Sequence, residues 1–203
     1  METQKQADTR IFNNPFLEKL TKTSPTITLV YYSLITLLLL VIGGKYFGIP
    51  VPLILLFYFG GFLYWTLFEY FMHRYLFHLD EHVDGKRAKR FQFIVHGIHH
   101  DHPRDLERMF MPPVPGTLII AILLGIHFLI MGNFSFFFTA GMVTGYMCYA
   151  YIHFSVHHKR PNPRFRKLWQ HHALHHYRYH DKAFGVSSPL WDIVFGTMPP
   201  KEK

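Results

Sequence analysis

Ten of the sixteen histidines fall into four clusters whose spacing is that of metal ligands. They read H-R-Y-L-F-H (His73, His78), H-G-I-H-H (His96, His99, His100), H-F-S-V-H (His153, His157) and H-A-L-H-H (His172, His175, His176). Neutral imidazole is the commonest metal-ligating side chain, and ten rings exceed what one ion can hold. On a helix, residues three and four apart share a face. His153 and His157 can therefore aim at one ion, and each H-x-x-H-H triplet offers a pair plus an adjacent nitrogen. His73 and His78 are five apart and require a bend or a helix end between them. One such pair is a weak signal, but four in one short chain are strong. Uncharged rings packed together without a metal would each need another hydrogen-bond partner.

Long apolar runs must position these clusters. One extends from Thr26 to Tyr46, and a second from Val51 to Met72, interrupted only by Glu69 and ending on His73. A third covers Val114 to Met131, and a fourth covers Phe134 to Ile152 and ends on His153. Each is about as long as a helix that crosses 30 Å of hydrocarbon. Gly43-Gly44 with Gly48-Ile49-Pro50, and Gly132-Asn133, mark turns that fold the runs into two helical hairpins. The expectation is one all-α membrane domain over 1–203. It has an N-terminal arm (1–25), spans at about 26–46, 51–72, 114–131 and 134–152, and a helical cap built from 73–113 and 153–203 that holds a histidine-rich dimetal site. Of 21 Lys and Arg, only Lys45 lies in a hairpin turn. The positive-inside rule then puts both termini and all four clusters in the cytoplasm.

Composition excludes several classes. Charged residues make up 17% of the chain, against about 25% in soluble domains, which fits poorly with a fully wetted surface. The net charge of +8 belongs to residues flanking apolar segments, not to a stripe interleaved with aromatics. Attraction to lipid headgroups accounts for it, and nucleic acid is not an expected partner. The first 25 residues contain no apolar h-region, so no cleavable signal peptide is expected. Cys148, the only cysteine, rules out an internal disulfide and a thiolate-rich metal site. It is read as a small buried hydrophobe.

Zinc takes four ligands, three of them protein in catalytic sites. Ten nitrogens suit two ions of higher coordination number. A redox-inert pair would serve hydrolysis, whereas a pair of irons would serve O2 activation. A site at the membrane surface faces many unactivated C–H bonds and little to hydrolyse, which favours iron. Glu69, one turn before His73, is expected to accept a ligand's ring N–H and fix its tautomer. The competing reading is an interfacial acid paired with Arg74. Asp101, Asp105 and Asp181 are weaker candidates for that role, and His102 and His180 lie beside the ligand clusters. His127, mid-span, is expected in a core hydrogen bond. His82, His158 and His171 are read as interfacial or loop residues, Tyr149 and Tyr151 as an interfacial belt, and Trp191 as an anchor for the tail.

The H-x4-H, H-x-x-H-H, H-x3-H, H-x-x-H-H series, in this order with spans between, resembles the fatty acid hydroxylase/sterol desaturase superfamily. Further stretches resemble the fatty acid 2-hydroxylases within it. These are F-E-Y-F-M-H-R-Y-L-F-H (Phe68 to His78), H-G-I-H-H-D-H-P-R-D (His96 to Asp105), M-P-P-V-P (Met111 to Pro115) and F-G-V-S-S-P-L-W-D-I-V-F-G-T (Phe184 to Thr197). The match covers about 50–198. It implies a non-haem di-iron monooxygenase that uses O2 to hydroxylate a fatty acyl chain at C2, free or carried on a sphingolipid or ceramide. All ten clustered histidines match the family's metal ligands by position. Two Fe ions are the implied cofactors, with Zn as a substitute in purified protein. The form is the one without a cytochrome b5 domain, so a separate donor (cytochrome b5-like, ferredoxin-like or a reductase) is implied. A bacterial inner membrane is the expected location, with the endoplasmic reticulum as the alternative. The rival readings are a carotenoid or sterol hydroxylase or desaturase on the same frame, and a histidine-rich metal transporter. A transporter should carry ionisable ligands along a path through the membrane, yet only His127 and Glu69 lie within spans.

Overall fold

Proline starts most of the long helices and glycine ends two of them. In the computed structural model, which describes residues 10–200, a short helix α1 (Pro15–Lys19) precedes α2 (Pro25–Phe47). Ser24 caps α2 by accepting from the Ile27 N–H, and the helix stops at Gly48, whose φ of 58° suits only glycine without strain. Next come α3 (Val51–Phe71), the cap helices α4 (Lys86–Gln92) and α5 (Ile98–Asp101), and then α6 (Pro113–Met131). The chain reverses at Gly132 (φ 56°) into α7 (Ser135–His158). The reversal brings the His127 ring onto the Thr139 hydroxyl at 2.9 Å, the core hydrogen bond expected for that histidine. Two further helices follow, α8 (Arg166–Tyr177), which belongs to the cap, and α9 (Leu190–Val194), which packs against α3. There is no strand among the described residues. Three continuous stretches, Pro25–Phe47, Val51–Phe77 and Pro113–His158, are long and apolar enough to cross a membrane, and the third contains the α6–α7 hairpin.

α7 is the central helix, packed by α2, α3 and α6. Lipid tails are as apolar as leucine, so close backbone approach is what holds such helices together. Gly141 and Gly145 form a G-x-x-x-G pair on α7, facing Gly61 on α3. A Cβ on Gly141 would lie 1.8 Å from the Tyr58 carbonyl oxygen, and one on Gly61 would lie 1.9 Å from that of Phe138. In this contact Gly61 sits against Phe138 and Met142, while Gly141 sits against Tyr58 and Phe62. Residues about 80 apart in sequence therefore lie side by side, which brings His73 and His153 to the same level at the ends of α3 and α7.

Cys148 departs from its expected burial. It lies exposed on α7, because an apolar residue of a span can satisfy itself against lipid as well as against protein. The N-terminal arm straps onto the cap. Arg108 pairs with Glu18 and donates to Thr21 at 2.7 Å, and Arg90 donates to the Ile11 carbonyl at 2.9 Å. Burial pushes the Glu18 carboxyl up, but the Phe12 and Ile11 N–H groups and Arg108 outweigh it and leave it below its ordinary range.

Candidate metal centre

The five-residue spacing of His73 and His78 finds its explanation in the backbone. α3 does not end at His73; it continues into π-helical winding over Met72–Phe77. Hydrogen bonds from i to i+5 return residues five apart to nearly the same face, and π segments recur at functional sites. A second π segment, Phe93–Gly97, leads into α5 and carries His96. α7 runs on to His158 and presents His153 and His157 one turn apart, and α8 carries the last triplet.

These elements converge the ten histidines into two groups of five. His73, His78, His96, His100 and His175 form one, and His99, His153, His157, His172 and His176 form the other. In each group the ligand atoms lie within 4.8 Å of one another. Each H-x-x-H-H triplet is divided between the groups. The i,i+4 pair (His96/His100, His172/His176) stays together, while the intervening ring (His99, His175) crosses to the other side.

Ring nitrogens then decide what the groups can do. In the first group, His73 Nδ1 faces the Phe184 carbonyl at 2.6 Å, His175 Nδ1 faces the Lys182 carbonyl at 2.7 Å, and His78 Nδ1 faces the Glu81 carboxylate at 3.0 Å. All three partners only accept, so in neutral rings Nδ1 carries the hydrogen and Nε2 is left as a bare lone pair. Yet His78 Nε2 and His175 Nε2 face each other at 3.2 Å. Two lone pairs so placed repel unless a cation lies between them. His96 Nε2 meets both His73 and His100 at 3.0 Å, and His157 Nε2 meets His153 at 3.2 Å and His172 at 3.0 Å. One ring nitrogen cannot serve two such contacts. Nitrogens about 2.1 Å from one metal ion and at right angles to each other lie about 3.0 Å apart, so the donor set fits a transition metal in each group. Burial, reinforced by the neighbouring rings, holds His96, His99, His172 and His175 well below the ordinary imidazole range and His100 down to about 3. They are kept in the neutral form that ligates metal.

Residues 58–197 match the family model for fatty acid hydroxylase. The chain belongs to the fatty acid hydroxylase family. This hydroxylase chain is 35% identical over 193 residues to the dihydroceramide fatty acyl 2-hydroxylase FAH2 of Arabidopsis thaliana, covering 94% of this chain and 80% of the relative. It is 38% identical to the ceramide very long chain fatty acid hydroxylase scs7 of Schizosaccharomyces pombe, over 94% of this chain and 55% of that one. It is 36% identical to mouse fatty acid 2-hydroxylase over 70% of this chain and 39% of the relative. A solved structure of full-length scs7p, in which only the hydroxylase domain is visible, superposes with a TM-score of 0.84 at 34% identity, covering 93% of this chain and 71% of that one.

Several residues flanking the hydroxylase site act differently from their sequence-level expectation. Glu69 neither accepts from a ligand ring nor pairs with Arg74. It is buried and takes the Val186 N–H at 2.7 Å, the Ser187 N–H at 2.9 Å and the Ser187 hydroxyl, while Arg74 donates to the Tyr70 hydroxyl at 2.8 Å. Its carboxylate fastens the tail whose Phe184 carbonyl holds His73. Asp105 accepts from the Glu107 N–H and lies 3.7 Å from Arg108 Nε, and Asp181 is exposed with Lys182 Nζ at 3.7 Å. Both balance basic groups instead of orienting a ring. Asp101 is exposed and His102 half-buried, whereas the exposed His180 ring does lie 5.5 Å from that of His100. The acceptors that orient rings are Glu81 and two main-chain carbonyls. Glu81, three residues past His78, was open to discovery from its spacing; the carbonyls were not. His171, read as a loop residue, is buried and meets Asp192 at 2.9 Å. Asp192 also accepts from the Phe184 and Gly185 N–H groups and the Thr197 hydroxyl. Trp191 anchors the tail by donating to Thr66 at 3.0 Å. Tyr149 lies parallel to the His153 ring, whereas Tyr151 is exposed and accepts from Lys159.

Proposed function

We propose that this chain is a membrane di-iron monooxygenase that hydroxylates a fatty acyl chain at C2, free or in a ceramide-type lipid. The observation that carries the reading is the pair of five-histidine groups, with Nε2 of His78 and of His175 3.2 Å apart while each ring's Nδ1 faces an acceptor, in a chain whose relatives are named as acyl 2-hydroxylases. His73, His78, His96, His100 and His175 hold one ion; His99, His153, His157, His172 and His176 hold the other. When bound, the metal pair supplies O2 activation, and the balance is one C–H, O2, two electrons and two protons converted to one C–OH and one water. Zinc substitutes in purified protein.

The chain's own contribution is ligation, orientation and exclusion of water. Tyr149 against His153, with Trp65 and Tyr146 behind it, gives the bilayer-side approach an apolar aromatic wall along which an acyl tail can lie. Regiospecificity is then a matter of position, since a misplacement of about 1 Å costs about 10²-fold. Electrons come from a donor of the cytochrome b5, ferredoxin or reductase kind. The lone cysteine excludes a four-thiolate cluster within these 203 residues. The basic-residue asymmetry supports a cytoplasmic cap, in a bacterial inner membrane or an endoplasmic reticulum.

The test combines metal analysis of purified protein with lipid profiling of expressing cells. His153→Ala should lose both bound metal and 2-hydroxy acyl product. Full activity in that variant refutes the ligand assignment. Hydroxylated isoprenoids in place of 2-hydroxy acids would transfer the reading to the carotenoid and sterol branch.

A further inference from the structure

The C-terminal helix α9 lies beside α3 and not out on the cap. Trp191 on α9 donates to Thr66, and Phe195 stacks on Tyr70 with ring centroids 5.2 Å apart and leans on Phe71 at 5.4 Å. Thr66 lies within the span. At about 1.5 Å per residue it is about 22 Å along α3 from Val51, leaving about 8 Å of a roughly 30 Å hydrocarbon layer below it. A helix fastened there sits about 5–10 Å inside the layer, the depth at which interfacial amphipathic helices bury their apolar face.

The side chains suit that place. Leu190, Ile193 and Val194 are 50%, 62% and 57% exposed, and Phe195 and Met198 extend the same surface. Phe195 of this face leans on Phe71, itself exposed on α3, and Leu63, three residues before the Thr66 that Trp191 binds, is exposed as well. Between Ser187 and Pro200 the only charged residue is Asp192, and it points inward, fully buried, onto His171 and the tail N–H groups. An apolar patch of this kind on a wetted cap would be an aggregation site.

We propose that α9 is an interfacial anchor immersed in the same leaflet that borders the metal cap, with Leu190, Ile193, Val194 and Met198 among the acyl chains. The occupant of this face is bilayer lipid, on the strength of its continuity with α3 and its depth. Residues 153–203 then do not lie wholly outside the membrane, as a reading of the sequence alone places them. The anchor also has a structural consequence. Asp192 on its inner side holds the Phe184 N–H, and the Phe184 carbonyl holds His73, so lipid contact steadies the loop that orients a histidine of the site.

Nitroxide labels test this in full-length protein reconstituted into phosphatidylcholine/phosphatidylglycerol vesicles. Ile193→Cys and Val194→Cys, each in a Cys148→Ser background, are compared with Leu63→Cys in the span and with Tyr177→Cys on the exposed cap. Labels at 193 and 194 should relax with dissolved O2 and be shielded from a water-soluble nickel chelate, as at 63. Nickel accessibility equal to that at 177 overturns the proposal. Shielding from both reagents with dipolar broadening between labels also overturns it and assigns the face to a second copy of the chain. In the unsubstituted protein, a phosphatidylcholine bearing a photoreactive group in its acyl chain should label the peptide containing 190–198. Adducts on α3 without any on that peptide count against the anchor.

Discussion

Gly141→Ala tests whether the α3–α7 backbone contact sets the metal centre. The new Cβ would start 1.8 Å from the Tyr58 carbonyl oxygen and 2.7 Å from its carbon, where ordinary contact begins at 3.4 Å. Both atoms are backbone of a rigid helix, so no side-chain rotation relieves the clash, and α3 and α7 must part locally by about 1.6 Å, the difference between 3.4 and 1.8 Å. Overpacking of this kind costs about 1–3 kcal/mol, a fall in Tm of roughly 2–12 °C for a chain of this size. The site feels it because α3 supplies His73 to one five-histidine group and α7 supplies His153 and His157 to the other, while α5 and α8 contribute to both. Parting α3 from α7 strains those shared elements against nitrogen contacts of 3.0–3.2 Å. The assay is metal-to-protein ratio by mass spectrometry, with thermal unfolding in micelles. Gly44→Ala serves as control, since a Cβ there meets nothing within 4 Å. Gly141→Ala should hold less metal and melt earlier, with the control unchanged. A Gly141→Ala protein indistinguishable from wild type in both measurements would refute the reasoning.

Three further outcomes follow from the same geometry. Glu81→Gln weakens the acceptor at His78 Nδ1, so chelator competition should show metal affinity down about 10–100-fold at one of two ions, with the other unaffected. Asp192→Ala strips the acceptor from His171, two backbone N–H groups and Thr197. Leaving these buried donors unmatched should cost about 3–5 kcal/mol, read as a lowered Tm together with lost metal. Glu18, whose carboxyl is held below its ordinary range, stabilises the docked N-terminal arm while ionised. That contribution is complete above the unfolded value of about 4.5 and disappears as pH falls through the lower folded value. Hydrogen exchange over 10–23 should rise on acidification relative to intrinsic rates, and Glu18→Gln should show the faster exchange already at pH 7.

How far the site could be read from the sequence differs from residue to residue. The ten histidines were legible because ligand chemistry demands one residue type at helical spacing, and the spans because hydrocarbon thickness demands a length. The division of each H-x-x-H-H triplet between two groups was not legible, since it depends on helices meeting from opposite sides. Glu69 misled for a related reason. Its spacing from His73 is right for an acceptor, but the tail, 117 residues away, reached it first. His171 and Asp192 looked ordinary one at a time, and only their meeting gives them a role.

By itself the sequence determined which side chains are available to ligate metal and which runs are long and apolar enough to cross a membrane. Imidazole count, apolar run length and the one-sided placement of lysine and arginine are local properties that no packing alters. Tertiary structure alone decided which rings lie within reach of one ion, which acceptors their Nδ1 atoms face, and which helix the tail packs against. Those outcomes rest on main-chain carbonyls of Phe184 and Lys182, on glycine-to-carbonyl contacts between α3 and α7, and on a π turn that brings His78 back beside His73. Backbone groups are chemically identical at every position, so no residue letter reveals which of them will be aimed at a ring. Only the folded path of the chain does that.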